Sequence, residues 1–272
     1  MGSIPVRLPR LCSVRLSVRT LPFQGGKRGS IPLPSTKINI DMQKFIYTGP
    51  SWGELSYDPI YHHNVWPNFT NLALEWRLNS YNIAKRFNSN YNCRDSVLAL
   101  NKDLPVVWVM CEPLIHVLRF DRPLIPEFLT CKDHVAFRQD VLHKQLTAMN
   151  DIGLPIGIIG AHSNIRHEDI QGLKNLSIIH PSWQNFLADS VNVKTNEYNW
   201  GYEVAHLMIS QHQDIQPSDQ LIMDTYDGLE FWQELQNRKV FFHVHPNRQG
   251  NVIFANHLKQ QIIDFINLPR SG

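Results

Sequence analysis

Two short apolar runs, Pro105–Cys111 (PVVWVMC) and Pro155–Gly160 (PIGIIG), constrain this chain most. Neither contains a charge, and β-branched residues are frequent in both. Each is shorter than an ordinary helix and lacks the alternation of a half-exposed strand. Such runs suit strands covered on both faces, which is the situation of a parallel sheet between helices. Lys44–Thr48, Tyr81–Ala84 and Leu176–Ile179 complete a set of five strands. Amphipathic segments alternate with them. Asp133 is placed to cap a helix reaching Asn150, with Val135, Leu142, Leu146 and Met149 on one stripe. Asp227 and Glu230 have the spacing of a capping box for a helix through Gln236. A final helix follows Pro246, with Phe254, Leu258, Ile262 and Phe265 on its apolar face. Shorter helices are expected at Asn71–Leu78 and Tyr202–Gln211, an extended stretch at Lys239–Val244, and a polar loop at Asn88–Asn92. The pattern predicts α/β architecture: a flavodoxin-like three-layer sandwich with a mainly parallel five-stranded sheet.

Charge divides the chain. Residues 1–40 carry seven Lys or Arg and no acid, with scattered Pro and Ser and no periodicity. Residues 1–41 are therefore expected to form a disordered basic arm, and residues 42–272 a single domain. The arm fits a transit peptide, a basic nucleic-acid arm, or a start codon placed too early. The last is favoured, because Met42 falls two residues before the first strand. The remainder is acidic on balance and has no basic stripe interleaved with aromatics, so no nucleic-acid partner is expected of it. No apolar run approaches the roughly 20 residues of a membrane helix, so no membrane association is expected. The four cysteines show no C-x-x-C pairing and read as reduced thiols of a cytoplasmic protein.

Strand ends are where this architecture places its sites. Ser51, Glu112, His162 and Ser182 each follow a predicted strand. Gly49-Pro50-Ser51-Trp52, after the first strand, resembles the Gly-Asp-Ser block of the SGNH (GDSL-type) hydrolases. His245-Pro246-Asn247-Arg248-Gln249-Gly250 resembles that family's His-Pro-Asn-x-x-Gly block. The resemblance spans roughly Met42 to Leu268. It implies Ser51 as nucleophile and His245 as general base and acid. It further implies an ester substrate, such as a small molecule or a carbohydrate O-acetyl group, and no cofactor. The chemistry of such a pair is general: a neutral imidazole takes the serine proton during attack and returns it to the leaving group. The resemblance puts oxyanion donors near Asn88 and Asn90 and after Cys111, where Glu112 stands. It also puts an orienting acid three residues before the His, where this chain has Phe242. A carboxylate at Glu112 would repel a developing oxyanion unless it points elsewhere or supplies the missing acid.

Each residue has a structural alternative. Ser51 suits a turn beside Gly and Pro. His245-Pro246 suits a helix start. His162 is either site wall or loop. If chemistry has been lost, the aromatic segment holding Trp52, Tyr57, Tyr61 and Trp66 suits a glycan- or protein-binding role. His243-x-His245, with His62-His63, has the spacing of metal ligands. Thirteen histidines also make that pattern by chance, and no acids accompany it.

Overall fold

The computed structural model describes residues 44–50, 78–85, 88–114, 124–195, 216–239, 241–242, 245–246 and 248–268. All of them fall in the unit Asp41–Gly272. The basic arm and the segments expected to be helical at Asn71–Leu78 (Leu78 apart) and Tyr202–Gln211 lie outside the described residues.

Five strands form one sheet: β1 Lys44–Thr48, β2 Asn79–Asn82, β3 Val106–Met110, β4 Ile156–Gly160 and β5 Leu176–His180. Their order is β2-β1-β3-β4-β5, and all four pairings are parallel. Among the described residues the α-helices are α1 Asn90–Leu100, α2 Leu124–Thr130, α3 His134–Asn150, α4 Trp183–Ser190, α5 Asp219–Asn237 and α6 Arg248–Ile266. Phe241–Phe242 and His245–Pro246 form a separate two-stranded antiparallel ladder, β6 and β7. This is the flavodoxin-like order, with helices on both faces.

The alternation of side chains along each strand builds the two outer layers. Phe45, Tyr47, Val107, Val109 and Ile159 pack with residues of α4, α5 and α6. Ile46, Val106, Trp108, Met110, Ile156 and Ile158 pack with α1 and α3. Phe45, Ile46, Tyr47 and every residue of β3 are fully buried. Full burial of one such large apolar side chain contributes about 1.5–3 kcal/mol. The expected apolar face of α6 is buried as read: Phe254, Leu258, Ile262 and Phe265.

Several expectations need correction. The second strand is Asn79–Asn82, two residues earlier than the apolar pattern suggested. The supposed loop Asn88–Asn92 opens α1 instead: Ser89 is its N-cap and accepts from the Asn92 N–H at 3.0 Å. Asp133 does cap α3, accepting from the Ala136 N–H at 2.8 Å, but Val135 is 54% exposed and leaves the stripe. Asp227 lies inside α5, whose N-cap is Ser218, nine positions upstream. Within Lys239–Val244, Phe241–Phe242 are extended, Lys239 ends the turn after α5, and residues 240, 243 and 244 lie outside the described residues. Among the described residues, no helix is long and apolar enough to cross a membrane.

Candidate functional site

The strand order fixes where a site can form. β1 lies between β2 and β3, so the chain leaves neighbouring strands β1 and β3 in opposite directions. A crevice opens beyond the carboxyl ends at such a switch point. The described segments at this edge are Gly49-Pro50 after β1, Asn88–Asn90 after β2, Cys111–Glu112 after β3, Ala161–Asn164 after β4 and Pro181-Ser182 after β5. Gly49 is demanded by close approach. A Cβ there would stand 2.9 Å from both the Val109 Cβ and the Val109 carbonyl oxygen.

Asn90 clamps the end of β3. Its Oδ1 accepts from the Cys111 N–H at 3.3 Å, and its Nδ2 donates to the Cys111 carbonyl at 3.2 Å. The same Nδ2 donates to Gln145 Oε1 of α3 at 2.6 Å, and Gln145 Nε2 reaches the Pro113 carbonyl at 3.1 Å. An amide nitrogen carries two hydrogens, so both donors of Asn90 are committed to holding the strand end. Asn88 is buried beside it, with Nδ2 3.5 Å from Cys93 Sγ. Burial pushes the Cys93 thiol up to about 12. Cys111 is raised well above the ordinary thiol range, first by burial and then by Cys93 and Glu112. Both are neutral thiols at physiological pH, which excludes them as thiolate nucleophiles.

Glu112 points away from the role of a bare charge. It is fully buried, and Arg138 of α3 holds it in a two-point pair, Nε to Oε1 at 2.7 Å and Nη2 to Oε2 at 2.9 Å. Ser163, past β4, donates to Oε2 at 2.6 Å and accepts from Arg138 Nη2 at 3.1 Å. Burial works to lower the Arg138 pKa, but the charge and hydrogen bonds of Glu112, together with the charge of Asp169, raise it on balance, so the guanidinium stays charged. The group that a resemblance would make an oxyanion donor is thus a neutralised brace between β3, β4 and α3.

His162 is buried at the end of β4, its ring 5.6 Å from that of Trp232 on α5. Ser182 caps α4, accepting from the Asn185 N–H at 3.1 Å. Ser51, Trp52, Tyr57, Tyr61, His62, His63, Trp66 and His243 lie outside the described residues. His245 is placed by its backbone alone, in β7 opposite Phe242. Among the described residues, no three His, Cys, Asp or Glu side chains converge as a metal site would need.

Two groups at this edge were not singled out from sequence. Arg138 looks like an ordinary exposed helix residue until α3 is docked on the sheet. His134, first in α3, has Nε2 2.5 Å from Asp224 Oδ2 of α5, and Gln220 Nε2 donates to Asp224 Oδ1 at 2.8 Å. Both members of the pair are buried. They are separated by 90 residues of chain, so no local motif marks them.

No family model matches the chain, and no curated protein matches it significantly. A search of solved structures finds the crystal structure of protein YxiM from Bacillus subtilis, at 11% identity and a TM-score of 0.40. That match covers 82% of this chain, which spans 57% of the length of the YxiM structure. A likeness of that degree carries no argument. The α/β fold stated above stands on the strand order and burial.

Proposed function

We propose that the protein is a hydrolase or acyl transferase acting on an ester, with Ser51 as nucleophile and His245 as general base and acid. The substrate class, a small-molecule or carbohydrate ester, follows from the SGNH resemblance. The observation that carries this reading is the placement of β1. It ends at the switch point of a parallel 2-1-3-4-5 sheet, and Ser51 follows two residues after the Gly49 that packs against β3. The neutralisation of Glu112 by Arg138 supports it as well, since it removes the negative charge that would oppose an oxyanion there.

A fluorophosphonate probe tests the assignment. It should label the native protein at Ser51, and Ser51→Ala should neither be labelled nor turn over p-nitrophenyl acetate while remaining folded. Turnover by the variant at the rate of the native protein would sink the proposal. One observation favours a second reading, an SGNH-like scaffold that binds a glycan or protein without chemistry: the donors of Asn90 are already spent on Cys111 and Gln145. Absence of labelling together with measurable glycan binding selects that reading.

A further inference from the structure

At the far edge of the sheet, His180 closes β5 inside a cage made by two helices. Its ring meets Phe186 of α4 at 5.6 Å, and Phe254 and His257 of α6 at 5.2 and 5.4 Å, each nearly perpendicular. The walls also pack on one another and on α4, while His180 and Phe186 are only half-buried and His257 is exposed. Phe254 stacks on Trp183 and Phe186 stacks on His257, both with centroids 4.3 Å apart. Nδ1 of His180 accepts from the Ser182 N–H at 3.2 Å. A ring nitrogen that accepts carries no proton, so the single proton of the neutral ring sits on Nε2. Ser182 is in turn the N-cap of α4.

We propose that His180, His257 and the Ser182 cap form a proton-sensitive latch that holds α6 against α4 and the sheet when His180 is neutral and loosens it on acidification. A second proton on His180 would have to occupy Nδ1, facing the Ser182 N–H donor to donor. The hydrogen bond would be lost at the residue that starts α4. The added charge would sit among Phe186 and Phe254, with His257 as the one titratable side chain in ring contact among the described residues. Neither Phe offers a counter-ion, and a charged His257 repels it. Burial first, and His257 second, lower the His180 pKa to about 4. The sign follows: an unfolded chain binds this proton below its ordinary value of about 6.5, while the folded one resists it down to about 4. Stability from this group is present above about 6.5 and is lost as pH falls through that window. β7, which carries His245, leads directly into α6. On the reading of the preceding subsection, which this consequence alone rests on, loosening α6 also displaces the general base.

Urea unfolding between pH 7.5 and 4 tests the latch without reference to activity. His180→Asn retains an acceptor for Ser182 and cannot titrate. It should take up about one proton fewer than the native protein on unfolding across this window. His257→Gln should shift the acid transition to lower pH, because His180 then accepts its proton more readily while folded. Equal pH slopes for the native protein and His180→Asn overturn the latch; if that variant does not fold, an unchanged acid transition in His257→Gln does so. Ester turnover, where present, should acquire an acid limb that moves with the unfolding transition in both variants. Failure of Ser51 labelling would remove that last consequence and leave the slope comparison standing.

Discussion

Replacing Arg138 with methionine should destabilise the protein by about 3–5 kcal/mol, a large part of the roughly 5–15 kcal/mol that holds a domain together. The reason is what remains behind. Glu112 is fully buried, and the guanidinium supplies two of the three hydrogen bonds to its carboxylate. Ser163 cannot neutralise a charge. The double variant Glu112→Gln, Arg138→Met should recover much of the loss, because no ion is then left without its partner. Urea midpoints for the two single variants and the double variant check this. A double variant as unstable as the worse single would show that the brace acts through shape rather than charge.

The second large effect is expected at Gly160. An alanine Cβ there would fall 2.0 Å from the Pro181 carbonyl oxygen and 2.4 Å from that of Ser163. Both are backbone atoms, so relief requires moving the end of β4 against the turn that leads into α4. Gly157, in the same strand, is the internal comparison. Its Cβ would meet Ile179 Cδ1 at 2.4 Å and Phe265 Cε1 at 3.0 Å, both ends of side chains that can rotate. Gly157→Ala is therefore expected within the usual overpacking range of about 1–3 kcal/mol, and Gly160→Ala beyond it, above about 4 kcal/mol. Thermal melts of the two variants decide it; the reverse order would contradict the packing at the end of β4.

The sheet was legible in the sequence because burial on both faces leaves an unmistakable mark. PVVWVMC and PIGIIG admit few other readings. Helix starts were less legible because capping is local and its patterns recur. Asp227 and Glu230 have the right spacing, yet Ser218 is the cap that α5 uses. Asn88–Asn92 looked like loop because Asn disfavours helix interiors, but Asn90 sits in the first turn of α1 and spends its amide on the end of β3. Val135 has the right period and faces solvent. The candidate site was legible only as strand ends. Its polar bracing joins Asn90 to Gln145, Glu112 to Arg138 and His134 to Asp224, residues that only the folded sheet brings together.

The strand order also bears on how the chain is made. β1 is synthesised first, yet both its partners come later: β2 pairs through Lys44↔Asn79 and β3 through Ile46↔Val106. During translation the apolar Phe45-Ile46-Tyr47 segment waits with both edges open until Asn79–Asn82 has left the ribosome, and with one edge open until Val106–Met110 follows. Non-local parallel pairing of this kind is slow, and open strand edges invite association between chains. Recovery of soluble protein should therefore depend on elongation rate and chaperone supply, even for variants whose finished fold is as stable as the native one.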